Sequence, residues 1–287
     1  MAAPSTAFVR QYQDSIYLLA QQMDTRLRGT VLVDTNFRGE VKLYDQYNTD
    51  DMIEIMSEYA DTPVQTPNHQ RRAVFPRYFV SNTLEDPIDA LQMLVDPKSA
   101  YMQAKMAAAN RKTDDIIVAA FGSTAYIGKN GTTTQTFTAA NQIASGSAGL
   151  TKAKMIQAKK LLDAAEVDVN DRFLAHGSSQ LYDLLMSTEV TNSDYNVVKT
   201  LVQGEVKTWL GFEFVRTERL LTNGSSERLC YAYQRWAMQL AVQKEITGRV
   251  DERSDKNYAW QVYMKMCMGA TRLEEARIVE IACTETV

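Results

Sequence analysis

The chain has 287 residues, 45% of them hydrophobic and 23% charged. These are ordinary globular values and exclude a wholly disordered chain. Its 13 Gly and 6 Pro lie well below the average combined usage of about 12%, which excludes collagen-like or linker-dominated architecture. The 31 Lys and Arg against 35 Asp and Glu leave a net charge of −4, which argues against a general electrostatic grip on nucleic acid and leaves room only for a local basic patch.

At roughly 100–200 residues per domain the length allows one large domain or two of moderate size. The opening MAAPSTAFVRQYQDSIYLLAQQM lacks the basic segment and apolar core of a signal peptide. Nowhere do 18 consecutive apolar residues occur, so no transmembrane helix and no membrane partner are expected. Cys230, Cys267 and Cys283 are odd in number and lack Cys-x-x-Cys spacing, so reduced, buried thiols are expected rather than a disulfide framework or a zinc site.

In chain order, Phe8, Tyr12, Ile16, Leu19, Met23 and Leu27 recur at helical spacing, so residues 6–28 are expected to form an amphipathic helix that stops at Gly29. Between 30 and 83, Val31/Val33, Val41/Leu43 and Val74 to Val80 predict short strands. A polar stretch with Asn48, Thr49, Asp50, Asp51, Pro63, Pro67 and Asn68 lies between them, and Met52 to Glu58 is expected to be a short helix. Arg38, Glu40, Lys42, Arg71, Arg72 and Arg77 make this a long charged hairpin that buries little by itself. Such excursions are usually interaction arms.

Asp96 and Pro97 suit the start of a helix over 96–121, with Met102, Met106, Ala109, Thr113, Ile116 and Ala120 as its stripe. At 1.5 Å per residue it would be on the order of 37 Å long, a structural strut. A Gly/Ser/Thr-rich hairpin and loop follow, with a turn at Asn130–Gly131. Thr151 then caps a helix with Met155, Ala158, Leu162 and Ala165 inward and Lys152, Lys154, Lys159 and Lys160 in water. Phe173 to Ala175 predict a strand, 178–187 a helix, and 211–217 another strand. Glu245–Glu252, Tyr258–Met268 and Arg277–Cys283 close the chain as three strands.

No catalytic set assembles. His69 and His176 are the only histidines, and the segment HGSSQ lacks a nucleophile elbow. Gly128, Lys129 and Asn130 miss the phosphate-loop spacing and its Ser/Thr. The pairs Asp50/Asp51, Asp114/Asp115 and Glu274/Glu275 are expected to be solvated surface charge, since adjacent carboxylates on a helix do not share a face. No catalytic residue, cofactor or metal ligand is therefore assigned.

The order of helical arm, charged hairpin, long helix, mixed unit and closing strands resembles the major capsid proteins of tailed bacteriophages. The likeness is carried by SAYMQAKMAAANRKTDDIIVAAFG, GLTKAKMIQAKKLLDAAEV, LVQGEVKTWLGFEFVRTERL and, most closely, DERSDKNYAWQVYMKMCMGATRLEEARIVEIACTE. The resemblance implies an α+β, Hong Kong 97-type fold. Residues 1–35 would be an N-terminal arm, packed through Phe8, Tyr12, Ile16, Leu19 and Met23, and 36–83 an extended loop. Residues 84–122 and 244–276 would form a peripheral domain around the long spine helix, and 123–243 with 277–287 an axial domain.

It further implies self-assembly as pentamers and hexamers into an icosahedral head around double-stranded DNA that is held only weakly. Arg38, Glu40, Lys42, Arg71, Arg72 and Arg77 would then contact a neighbouring subunit. The chain reaches the arm within about ten residues of Met1, so a separate scaffolding protein is expected, with a portal and, in some heads, decoration proteins. Assembly would occur in the host cytoplasm and the product would be the virion capsid. Other readings from the sequence are a cellular nanocompartment shell, another virion structural protein, and a hydrolase using Ser178 and His176.

Overall fold

The structure, a computed structural model, describes residues 20–35, 37–47, 51–57, 61–62, 64–66, 69–85, 98–186, 208–225 and 227–285. Most of the expected arm helix, with Phe8, Tyr12, Ile16 and Leu19, lies outside the described residues, as do Asp96 and Pro97. Three α-helices and fourteen strands occur among the described residues, and they form three sheets.

The first strands are β1 (Leu32–Asp34), β2 (Lys42–Tyr47), β3 (His69–Val74) and β4 (Arg77–Glu85). The run Val74 to Val80, expected as one strand, divides between β3 and β4 at Phe75–Pro76, because proline supplies no ladder N–H. Residues 51–57 have no regular structure, so the short helix expected from Met52 is absent. Helix α1 (Lys98–Gly122) follows, 25 residues long. No Gly or Pro interrupts it before its last residue, which suits an unbroken helix.

Its buried face differs from the expected stripe. Thr113 and Ala120 are buried, whereas Met106 is 42% exposed. Ala107, Asp114, Ile117, Val118 and Phe121 are enclosed instead.

Strands β5 (Ala125–Ile127), β6 (Thr133–Gln135) and β7 (Gln142–Ile143) lead to α2 (Lys152–Ala164), β8 (Arg172–His176) and α3 (Ser178–Met186). Thr151 caps α2 by accepting the Lys154 N–H at 3.4 Å. Met155, Ala158 and Leu162 are fully buried, each larger side chain contributing about 1.5–3 kcal/mol by transfer from water. Lys154, expected in solvent, is buried. Its ammonium donates to the carbonyls of Ala148 (2.7 Å), Gly149 (2.7 Å) and Ala282 (3.0 Å). Three charge-assisted bonds to backbone groups compensate its lost hydration.

The chain closes with β9 (Thr208–Trp209), β10 (Phe212–Arg216), β11 (Glu227–Gln234), β12 (Met238–Arg253), β13 (Ala259–Arg272) and β14 (Ile278–Thr284). The largest sheet runs β7-β14-β11-β8-β10-β9. Its central strand β11 is antiparallel to both β14 and β8, with Cys230 opposite Ile281 and Tyr231 opposite Ala175. Residues 230–234 are buried throughout, as the middle strand of a covered sheet requires. The other sheets run β2-β3-β5-β6 and β1-β12-β13-β4.

Two compact units share the chain. One takes the described residues up to Asp24 with Tyr78–Lys112 and Lys244–Cys267. The other takes Thr25–Arg77, Thr113–Gln243 and Met268 onward. Helix α1 and strands β12 and β13 each pass from one unit into the other.

Residues 20–27 are not helical. A short 3-10 turn spans Arg28–Thr30 instead, so the expected stripe fails at its described end. Leu27 is fully buried, and polar tethers hold the rest of the segment. In the first unit, Met23 is 45% exposed and its carbonyl accepts from Asn110 at 2.8 Å. The Arg111 guanidinium reaches Gln21 at 2.7 Å. In the second unit, Asp114 is fully buried and accepts the N–H groups of Arg26 (3.0 Å) and Leu27 (3.2 Å). It caps the turn that follows, as an N-cap carboxylate caps a helix. Asp114 is thus an anchor rather than solvated charge, whereas its neighbour Asp115 forms a two-pronged pair with Arg219 at the surface, both contacts 2.6 Å.

Replacing Asp114 by alanine would strand two backbone donors. The Asp114→Ala variant is expected to lose roughly 2–4 kcal/mol of stability, against less than about 1 kcal/mol for Asp115→Ala. Urea denaturation of both variants measures the contrast.

Candidate assembly surfaces

The expected hairpin is present. Strands β2 and β3 pair antiparallel from Lys42 opposite Val74 to Tyr47 opposite His69. Its two ends differ in kind. At the root, Phe37, Val74 and Ala241 form a buried cluster against which Tyr44 packs. Strand β3 also pairs with β5, Ala73 opposite Tyr126. The β5–β6 turn closes over Ala73 at Gly131, whose φ is +67° and where any Cβ would lie 2.5 Å from the Ala73 Cβ. Only glycine suits both demands. At the far end, Met52, Met56 and Val64 are almost wholly exposed.

The six charged residues assigned to inter-subunit contact fall into three groups. Arg38, Glu40 and Arg77 are exposed. Lys42 and Arg71 are already paired within the chain, Lys42 with Asp34 and Arg71 with Asp45 across the β2–β3 ladder. The Arg71 hydrogen bond holds the Asp45 carboxyl below the usual carboxylate range. Arg72 differs most from expectation, with only 4% of its surface exposed. Its Nε donates to the Leu273 carbonyl (3.0 Å) and its Nη1 to the Gln135 side chain (2.6 Å). Gln46 donates to the same carbonyl at 2.7 Å. Arg72 is therefore a tie at the hairpin root.

Beside it lies Arg272, fully buried at the end of β13. Its guanidinium donates to the Phe121 carbonyl (2.8 Å) and the Ser123 carbonyl at the end of α1, and pairs with Glu275 at 3.2 Å. It also sits 5.0 Å from the centre of the Phe137 ring. Burial lowers the pKa of both arginines, and Glu275 opposes that shift in each. Helix end, hairpin root and β13 are thus joined through two guanidinia and one carboxylate. The sequence reading placed Glu274/Glu275 at the surface. Glu275 is 8% exposed, and only the Arg at its i−3 position hinted at a partner.

The Ser178–His176 pair does not assemble. His176 is 2% exposed, and its Nδ1 donates to the Gly177 carbonyl at 2.8 Å. Its ring meets Phe214 edge to face. Ser178 is exposed at the head of α3, where its backbone N–H donates to Glu218 at 2.7 Å. Burial pushes the His176 pKa below its usual value. An open cleft of about 920 Å³ beside the hairpin is lined by His69, Arg71, Lys129 and Asp45 among others. No group of three or more metal-binding side chains occurs among the described residues. No described helix is long and apolar enough to cross a membrane.

A family model for phage capsid protein matches residues 5–285, and the chain belongs to that family. It is a structural major capsid protein of the phage head, and its place is the virion capsid. Three solved capsids show the same α+β, Hong Kong 97-type fold. The capsid of cyanophage P-SCSP1u has a TM-score of 0.77 at 15% identity, covering 98% of this chain and 94% of that one. Cyanophage Pam1 gives 0.76 at 13%, covering 99% and 98%. The capsid of Ralstonia phage GP4 gives 0.75 at 10%, covering 100% and 98%. No curated protein matches the sequence.

The two neighbouring hairpin arginines should separate in a stability assay. Arg72→Ala leaves buried polar groups without a partner and is expected to cost about 3–5 kcal/mol, while Arg71→Ala, at the surface, should cost less than about 1 kcal/mol. Equal effects in chemical denaturation would contradict the root assignment. A second expectation concerns pH. The folded chain holds His176 neutral, so the unfolded chain binds the extra proton. Stability is full above the unfolded pKa, about 6.5, and falls as pH drops through the lower folded value. Thermal melts at pH 7.5 and 5.5 should show a smaller acid loss in His176→Gln than in the wild type.

Proposed function

We propose that copies of this chain associate as pentamers and hexamers into an icosahedral shell enclosing double-stranded DNA. The observation that carries the reading is the hairpin: its root is built into a core, while its far end presents large apolar side chains to solvent. Exposed apolar patches of this kind mark interaction sites. In a shell protein the partner is a neighbouring subunit.

On this reading residues 1–35 are the N-terminal arm and 36–83 the extended loop. Residues 84–122 with 244–276 are the peripheral domain, and 123–243 with 277–287 the axial domain. Arg38, Glu40 and Arg77, exposed and without an ion pair among the described residues, remain available to a neighbour, where rim charges set orientation and encounter rate more than affinity. The chain does no chemistry. It is assembled in the host cytoplasm on a separate scaffolding protein, joins a portal at one vertex, can carry decoration proteins, and touches its DNA only non-specifically.

Electron microscopy of the purified chain, made alone and together with its scaffolding protein, tests this. Five- and six-fold capsomers and closed shells are the expected products. A chain that stays monomeric by analytical ultracentrifugation under both conditions would overturn the proposal.

A further inference from the structure

An asparagine followed by glycine is a step at which the backbone can attack its own side chain, because glycine has no Cβ to crowd the ring that forms. The chain has two such steps, Asn130–Gly131 and Asn223–Gly224. Their sequences rank them equal, but their surroundings differ.

Asn223 is half-buried and held on several sides. Its backbone N–H donates to the Glu227 carbonyl at 2.9 Å. Its side-chain oxygen accepts the N–H groups of Ser225 (2.9 Å) and Glu227 (3.0 Å). Its amide nitrogen, the leaving group in such an attack, donates to the Glu227 carboxylate at 2.6 Å, a charge-assisted bond. Thr222 and Arg228 pair across the base of this turn. Asn130 lies exposed in the β5–β6 turn, and its side chain has no hydrogen bond among the described residues. The bond that stands against attack is local, from the Gly131 N–H to the Gly128 carbonyl at 3.1 Å. Arg71 reaches only the Lys129 carbonyl, at 3.3 Å.

We propose that Asn130 is a site of spontaneous deamidation in the folded chain, while Asn223 is protected. When the turn opens locally, the Gly131 nitrogen gives its proton to water or hydroxide and forms a bond to the Asn130 Cγ. The Cγ–Nδ2 bond breaks, and the nitrogen takes up a proton and leaves as ammonia, which completes a five-membered succinimide. Water then adds to either ring carbonyl and opens the ring to aspartate or isoaspartate. The net change is one water consumed and one ammonia released, with no oxidant, cofactor or second protein. Either product adds a carboxylate next to Lys129. Isoaspartate also lengthens the main chain by one methylene, where there is little room for it. Gly131 is buried at a φ of +67°, and one added carbon there would lie 2.5 Å from the Ala73 Cβ. The isoaspartate product therefore loosens the hairpin root.

The test ages the purified chain in mildly alkaline buffer, folded and in guanidinium chloride, and follows amide loss at both asparagines by peptide mass mapping. In denaturant the two should react at similar rates. In the folded chain Asn130 should react at least fivefold faster than Asn223. Glu227→Ala should raise the Asn223 rate at least threefold and leave that of Asn130 unchanged. Aged wild type should melt at a lower temperature than fresh protein. Asn130 has no positive φ, so Asn130→Gln fits the turn and should keep its melting temperature on ageing. Equal rates at the two sites in the folded chain, or an Asn130 that keeps its amide, would overturn the proposal. A melting temperature that falls as far in Asn130→Gln would overturn the link to the hairpin root. None of these readouts needs particles, so the shell reading and this one stand or fall separately.

Discussion

The junction of Arg72, Arg272 and Glu275 is the constraint on which the arrangement of the second unit depends. Arg272 takes up the carbonyls of Phe121 and Ser123 where α1 ends. Arg72 and Gln46 meet the Leu273 carbonyl one residue further on. Glu275 then accepts from Thr138 and Arg272 at once. Two cations share one carboxylate in a site largely closed to water, and the Arg272 Nε has no hydrogen-bond partner. Such a cluster is a poor source of stability, because the desolvation of three charges offsets most of their attraction. Its effect is directional. Backbone carbonyls accept along defined directions, so the guanidinia fix where the hairpin leaves the body relative to the helix end.

That fixed root gives the rest of the hairpin its meaning. A projection hinged at its base would pay conformational entropy each time it docked. Here the ladder from Lys42–Val74 to Tyr47–His69, the Gly131 turn over Ala73 and the Arg72 tie hold the limb before any partner arrives. Of the cations that read as contact residues, Lys42, Arg71 and Arg72 therefore act within the chain, and Arg38 and Arg77 stay exposed. What the hairpin shows outward is its apolar tip and the carboxylates around it. The polar tethers of 22–27 to Asn110, Arg111 and Asp114 follow the same logic, with side chains of α1 holding backbone groups of the preceding segment.

How much of this the sequence disclosed follows from the range of each interaction. Helix α1 was legible because 24 residues pass without Gly or Pro, and β13 because its alternation is strong. The cap at Thr151 and the turn at Gly131 rest on local chemistry and were legible too. The buried face of α1 was not, because Lys105 and Asp114 are charged residues that burial statistics place outside. Their enclosure depends on Ser81 and on the backbone of Arg26 and Leu27, far away in sequence. Strand β11 escaped notice because a strand buried on both faces loses its period of two. Arg71 and Arg72 are adjacent and chemically identical, and only strand register sends one to the surface and the other inward. A cavity of about 250 Å³ is lined by residues from 79–81, 105–112 and 264–266, and no local pattern joins those three segments.

The net charge itself looks different once it is located. Read over the whole chain, −4 suggested a container whose wall does not hold its contents. Six of the 35 acidic residues, and none of the 31 basic ones, fall between Leu43 and Gln70. The remainder of the chain therefore carries +2. Counterion-release arguments depend on the surface that faces the polyanion and not on the chain total, and Coulomb interactions between exposed charges fade beyond about 8–10 Å of salt solution. Acidity confined to a projecting hairpin thus bears on whatever lies within reach of that hairpin. It says little about the rest of the chain, where cations such as Lys154, Arg172 and Arg272 are buried against carbonyls of their own chain and contribute nothing to an exposed basic surface.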